Sequence, residues 1–352
     1  MAYTTINKPT IYFNTKIYTG NNSSSHAITG VGFQPDWTWI KARNFGESHR
    51  AFDAVRGAAN YITTNANIAE SNAYPLTSFD SDGFTIGSAD GSVNGNYNYV
   101  SWNWKAGTTS GISGGTITPS SYSISATSGF GIYKYTGTGS AGTIAHGLNT
   151  PPRFIIVKKT SGAADWAIYY NPAQGINGQE GRAMGFTASG FSTNSAYWNG
   201  TAATSSVFSL GTQNDVNQSG QTYISYAFAD VTGYQKLCGW YANANADGPF
   251  LYTGFKPAYF MMFNINNGGR WMIADSVRNP NPTNEIDKKL QPHTSNVEAT
   301  TGDIACDFLS NGIKIRGGST SDINHTNLNM MYGLAIAAEP FVGSNDVAAT
   351  AG

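Results

Sequence analysis

Three times along its length the chain passes through the same short pattern: a glycine, a turn, a proline, then a strand of large apolar side chains. The copies are Gly32-Phe33-Gln34-Pro35-Asp36-Trp37-Thr38-Trp39-Ile40-Lys41, Gly147-Leu148-Asn149-Thr150-Pro151-Pro152-Arg153-Phe154-Ile155-Ile156-Val157-Lys158 and Gly254-Phe255-Lys256-Pro257-Ala258-Tyr259-Phe260-Met261-Met262-Phe263. Bulky residues at every second position, set off by Gly and Pro, read as a strand entered through a tight turn. A pattern repeated at this distance means one folding unit used three times, so whatever the first unit folds into, the others follow.

Spacing supports the alignment. Pro35 and Pro152 stand 117 residues apart, Pro152 and Pro257 105, and the outer pair therefore 222. Downstream, Asp53-Ala54-Val55-Arg56 returns as Asp275-Ser276-Val277-Arg278, again after 222 residues. The same offsets align His49 with Trp166 and Trp271, and place Tyr170 where the outer copies have Asp53 and Asp275. Upstream, Lys16-Ile17-Tyr18-Thr19-Gly20 matches Tyr133-Lys134-Tyr135-Thr136-Gly137, and Gly239-Trp240-Tyr241-Ala242-Asn243 with its Gly lost.

Each copy continues through a two-residue turn, Asp82-Gly83, Ser189-Gly190 or Asn311-Gly312, where Gly supplies the positive φ that a tight hairpin requires. Each closes on a strand with a bulky face: Val100, Trp102 and Trp104; Ile224, Tyr226 and Phe228; Tyr332, Leu334 and Ile336. Intervening positions are mostly Ser, Asn, Gly or Ala, so one face packs and the other lies flat against a neighbour or solvent. The expected fold is all-β, with three tandem antiparallel β-sandwich repeats of jelly-roll or lectin-like kind over residues 1–106, 129–233 and 234–342. A Gly/Ser/Thr-rich linker over 107–128 separates the first two, and 343–352 reads as a flexible tail. The best helical candidate, Ala51 to Asn60, amounts to one short turn.

Charged residues make up 12% of the chain, against roughly 25% in ordinary globular proteins. The net charge of −1 comes without a basic run, which excludes an electrostatic footprint for nucleic acid or anionic membrane. Cys238 and Cys306 cannot form a disulfide framework and read as small core residues. The opening residues Met1 to Ile6 have neither a basic region nor an apolar run, and nowhere do ~18 apolar residues run together. The expectation is a protein without a signal peptide or membrane span, kept soluble unless it is delivered outside by some other route, for example as part of a particle.

Few motifs point to chemistry. Asp80-Ser81-Asp82-Gly83 faintly matches the start of a calcium loop, but its counterparts lack the carboxylates, which favours a plain hairpin turn. No H-E-x-x-H or C-x-x-C is present, and no two carboxylates stand out as a glycosidase pair. No catalytic residue, cofactor or metal is expected. Asp53 with Arg56, and Asp275 with Arg278, read as structural pairs, because a substrate site is seldom needed twice. Aromatic residues in polar loops are the ligand-binding candidates: Tyr97 in Asn94-Gly95-Asn96-Tyr97-Asn98, and Tyr197 and Trp198 in the loop from Asn194 to Ser206, where the second copy departs from the others. Such rings stack on a sugar or anchor a protein contact; alternatively they fold back to cap their own sandwich.

The opening Met1-Ala2-Tyr3-Thr4-Thr5-Ile6, the strand Gly32 to Lys41, Phe52-Asp53-Ala54-Val55-Arg56-Gly57, Ser78 to Phe84 and Trp102-Asn103-Trp104-Lys105-Ala106-Gly107 resemble a family of tailed-phage virion proteins common in marine phages. Asp247 to Phe255 and Ala338-Glu339-Pro340-Phe341 extend the match through the third copy. The resemblance implies a non-enzymatic structural protein of the virion surface, made in the host cytoplasm and part of a tail fibre or other host-contacting appendage. Its partners would be other tail or capsid proteins and a host surface carbohydrate or protein, and a homo-oligomer is expected. A capsid decoration protein and a tail-borne polysaccharide depolymerase are the alternatives. The middle copy departs most from the family pattern, having no Asp at the D-x-V-R position.

Overall fold

The computed structural model describes residues 4–73, 75–171, 183–186, 191–192, 194–265, 271–279, 285–319, 321–325 and 329–342. The described residues are all-β, 46% strand and 3% helix, in several antiparallel sheets of which none among them is closed. The region 51–60 is not helical: it is the strand Arg50–Asp53 followed by a turn whose Arg56 N–H bonds the Asp53 carboxylate. The turn at Ser189-Gly190 and the tail from 343 lie outside the described residues.

One four-strand pairing occurs three times. In the first sheet Phe13–Thr19 pairs with the closing strand Asn98–Trp104, which pairs with Trp37–Ala42, which pairs with Arg50–Asp53. In the second the order is Phe130–Thr136, Thr222–Ala229, Pro152–Lys159 and Trp166–Tyr170; in the third it is Gln235–Tyr241, Met330–Pro340, Phe255–Asn264 and Trp271–Asp275. The registers correspond. Trp37, Phe154 and Tyr259 face Trp104, Phe228 and Ile336 on one side, and Asp53, Tyr170 and Asp275 on the other. Pro35, Pro152 and Pro257 each stand two residues before these positions, as the spacing requires. Proline has no N–H for the ladder, and the register shifts beside Pro152 and Pro257. The opening strand of the third copy is one residue out from the sequence alignment: Tyr241, not Ala242, holds the position of Thr19 and Thr136.

Both faces of each large sheet are covered. At even positions of the closing strands, Trp102, Trp104, Tyr226, Phe228, Leu334 and Ile336 are at most 2% exposed and meet in one cluster to which all three sheets contribute. There Trp37 stacks on Trp104 of its own sheet at 4.2 Å and on Tyr226 of the second sheet at 4.4 Å. The opposite faces pack on smaller sheets. Ile40, Phe52 and Tyr99 meet Ile28, Phe84 and Ile86, and Tyr133, Ile155 and Tyr223 meet Ile144, Phe208 and Leu210. Of the two expectations for the small residues of this face, a neighbour or solvent, the first holds: Ser101, Asn103, Ser225 and Ala335 are buried.

Residues 107–128, expected to be a linker, fold onto the second copy. Ser121–Ser125 pairs along the free edge of Phe130–Thr136, and Ile117 and Ile124 are buried in that copy's core. The alternation in Ser121-Tyr122-Ser123-Ile124-Ser125 is a strand signal inside a run of small residues.

Each copy also contains a fully buried asparagine, Asn94, Asn217 or Asn324. Its side-chain oxygen accepts the backbone N–H of the loop after the opening strand, at Asn21, Thr138 and Asn243 respectively. Its amide group donates to carbonyls of the same region, for instance Ser23, Ser140 and Asn245. In the first two copies the approach is so close that a Cβ at Gly20 or Gly137 would lie 1.9 Å from Gly95 O or 2.4 Å from Gln218 O.

Candidate functional site

The D-x-V-R pairs sit where the copies meet. Asp53 Oδ2 lies 2.6 Å from Arg56 Nε, and Asp275 Oδ2 2.5 Å from Arg278 Nε, with all four side chains out of solvent. Each arginine reaches a second carboxylate, Glu70 at 2.8 Å or Glu298 at 2.9 Å, and a strand carbonyl, Ala51 or Ile273. Burial opposes the charge on Arg56 and Arg278, but the adjacent carboxylates outweigh it and hold both guanidinium groups charged. A buried pair satisfied on every side is costly to break, and removing one partner strands a charge.

Each pair reaches beyond its own copy. Asp53 Oδ2 accepts the hydroxyl of Tyr226 at 2.6 Å, and Asp275 Oδ2 accepts the indole N–H of Trp102 at 2.9 Å. Trp102, Tyr226 and Leu334 hold one register position in the three closing strands, so the first copy's Asp takes its bond from the second and the third copy's from the first. At the remaining junction both polar groups are gone together. Tyr170 replaces the Asp, Leu334 replaces the donor, and the Tyr170 ring packs against Tyr332 at 4.8 Å and Phe263 at 5.3 Å.

A second ring of contacts runs through the position of His49, Trp166 and Trp271. Trp166 Nε1 donates to Thr63 O at 3.2 Å, Trp271 Nε1 to Gly185 O at 3.1 Å, and His49 Nε2 to Gln291 O at 3.0 Å. Thus the second copy bonds the first, the third bonds the second, and the first bonds the third. The histidine tautomer follows from its neighbours: Trp39 Nε1 donates to His49 Nδ1 at 3.0 Å, which leaves the proton on Nε2. Burial pushes this imidazole well below the usual histidine range and keeps it neutral. Backbone bonds complete two junctions, Glu70 N to Thr160 O and Glu298 N to Arg43 O, the latter reinforced by a two-pronged Arg43–Glu298 ion pair.

Sequence spacing located the Asp–Arg pairs but missed Glu70 and Glu298. These stand 228 residues apart instead of 222, because the loops before them differ in length. Likewise Asn94 and Asn324 are separated by 230 residues. A search for a polar residue at a fixed place in the strand order, rather than at a fixed offset, would find both sets.

The ring candidates lie elsewhere. Trp198 is 1% exposed and packs edge-on against Tyr169 at 5.5 Å, so no face of its ring is left for a ligand. Tyr197 is half-buried beside it and donates its hydroxyl to Asp215 at 3.0 Å; burial and that carboxylate push its pKa up to about 12. A loop rich in Asn, Ser and Thr turns its rings inward because they carry most of the apolar area it can bury. Tyr97 stacks flat on Phe45, with centroids 4.2 Å apart. The structure does not bring Tyr97 together with Tyr197 and Trp198: they cap different copies. Asp82, read as a turn residue, accepts the N–H groups of Gly30 and Gly32, which holds its carboxyl below the usual range. Among the described residues no group of three His, Cys, Asp or Glu is placed to hold a metal ion. A groove of about 560 Å³ lies where Thr4 and Thr5 meet Asp230, Val231 and Thr232, and brings one carboxylate together with threonine hydroxyls. Cys238 and Cys306 are free and buried. No described helix is long and apolar enough to cross a membrane.

The fold and its junctions define an all-β protein whose three large antiparallel sheets share one core. The chain belongs to the family described as Domain of unknown function (DUF7483), whose model matches residues 8–340. No curated protein and no solved structure matches it.

Proposed function

We propose that this chain is a non-enzymatic surface protein of a tailed-phage virion, built of three tandem β-sandwich repeats and acting by binding, as part of a tail fibre or other host-contacting appendage. The observation that carries this reading is the way the repeated polar residues are used. Asp53, Asp275, His49, Trp166 and Trp271 each bond one copy to another, and Arg56 and Arg278 hold the two aspartates in place, so these polar groups are spent on holding the body rigid. A rigid body of low charge that presents loops and sheet faces suits a protein that stands on a particle and makes contacts. The sequence resemblance to virion proteins supports the same reading.

Immunogold labelling of intact particles, with copy number from a quantitative gel, tests it. Label on the tail or its fibres at a few to a few tens of copies supports an appendage. Hundreds of copies over the head would mean capsid decoration, a role that three copies closed in a ring would fit at a threefold lattice point. Absence from purified particles overturns the proposal, and release of reducing sugar from host envelope polysaccharide would overturn its non-enzymatic part.

A further inference from the structure

The small sheet of the third copy has a solvent face unlike that of the first. Its strands are Phe250–Tyr252, Gly312–Ile315, Cys306–Leu309 and Glu285–Ile286, and the register puts Phe250, Lys314, Asp307 and Glu285 in one cross-strand row on one face, with Tyr252 and Gly312 in the next. Phe250 is 45% exposed and Tyr252 51%, while Leu251 between them is buried. In the first copy the equivalent strand is His26–Thr29, and its pairing with the hairpin of Gly83 sets Ala27 and Thr29 at the places of Phe250 and Tyr252. The fold therefore forms without rings here. An exposed pair of aromatic side chains that folding does not require marks a contact surface.

We propose that this face is a binding platform for a neutral polysaccharide. The Cα atoms of these alternate residues stand about 7 Å apart along one strand, so both side chains rise from one short stretch of the same face. The Cε2–Cζ edge of Phe250 reaches Gly312, where a Cβ would be 2.7 Å from Cζ, so the absence of a side chain there makes room for the ring, which stays 45% exposed. Tyr252 is steadied by Lys236, whose Nζ lies 5.4 Å from its ring centroid and donates to Tyr252 O. Beside the rings the charges alternate and balance: Lys314 with Asp247 at 2.6 Å, Arg316 with Asp307 at 2.7 Å, and Lys236 and Glu285 at the margins. Side chains of both signs offer hydroxyl groups donors and acceptors, while their equal numbers give no attraction to a polyanion.

This deepens the proposed role by naming its ligand class and rests on that role, but binding by the purified protein and location on the particle are separate readouts, so each can fail alone. The test is mobility in native gels cast with dextran, laminarin, mannan, galactan or, as an anionic comparison, alginate. The native protein is expected to be retarded by at least one of the four neutral polymers. The variant Phe250→Ala with Tyr252→Thr carries what the first copy has at these positions; it should keep its melting temperature and bind at least about tenfold more weakly. Tyr252→Thr alone should fall between, and Tyr241→Ser, which removes an exposed ring elsewhere, should bind as the native protein does. No retardation by any neutral polymer, retardation by alginate alone, or equal retardation of the double variant and the native protein would each overturn the proposal.

Discussion

Replacing Tyr226 by Phe removes one oxygen atom and probes the junction between the first and second copies directly. The Tyr226 hydroxyl donates to Asp53 Oδ2 at 2.6 Å inside a buried cluster, and the ring itself stacks on Trp37, so the substitution takes away a charge-assisted bond and leaves the packing in place. Such a bond contributes about 1.5–3 kcal/mol. With an unfolding entropy of about 2.1 cal/mol/K per residue, a chain of 352 residues has about 0.7 kcal/mol/K in total, and the expected fall in melting temperature is about 2–4 °C. Urea titration of the native protein, Tyr226→Phe, Asp53→Asn and the double variant gives the coupling between the two side chains, which should be at least about 1 kcal/mol. A loss below about 0.5 kcal/mol for Tyr226→Phe with no coupling to Asp53 would refute the view that this contact holds two copies together.

Arg278→Met should cost about 3–5 kcal/mol in the same titration, because it leaves Asp275 buried with its charge uncompensated. Trp104→Ala should cost about 3–5 kcal/mol, since the ring is 2% exposed and stacked on Trp37; an unchanged melting midpoint would contradict its place in the shared core. Stability should also follow a defined pH course, read from melting temperature against pH. Burial lowers the pKa of Lys41 and Lys158 to about 8, so above that pH the folded chain has released protons that the unfolded chain still holds, and stability rises up to about pH 10. Beyond about pH 10 the tyrosines freed by unfolding ionise, while burial holds Tyr18, Tyr133, Tyr135 and Tyr226 protonated in the fold, and stability falls. On the acid side, His49 refuses the proton that an unfolded histidine binds, so stability falls as pH drops through about 6.5.

The strand pairing was legible in the sequence because period-two alternation survives from copy to copy: Trp102 and Trp104, Tyr226 and Phe228, and Leu334 and Ile336 share one face by pattern alone. Alternation says which residues lie together, not what that face meets. The bulky faces therefore read as the interior of three separate sandwiches, when in fact they turn toward one another and the small-residue faces meet the smaller sheets. The Asp–Arg pairs could be found because no insertion falls between Pro35 and Arg56 relative to Pro257 and Arg278. Glu70, Glu298 and the buried asparagines follow loops of unequal length, so constant spacing hid them. Trp198 sits among polar residues in sequence and among Tyr169 and its neighbours in space, a contact between strands that local composition does not encode. Phe250 and Tyr252 are not distinguished from core by sequence pattern: the register alone shows that Leu251 points inward and the two rings outward.

The sharing of one core by all three copies is tested most directly by calorimetry. At about 0.7 kcal/mol per residue near 60 °C, unfolding the 352-residue chain should absorb about 250 kcal/mol. If the junctions join the copies into one cooperative body, the heat is taken up in a single transition whose van't Hoff enthalpy equals that total, and Tyr226→Phe moves the whole transition. Separate transitions with van't Hoff enthalpies near a third of the total, one of them alone shifting in Tyr226→Phe, would contradict it.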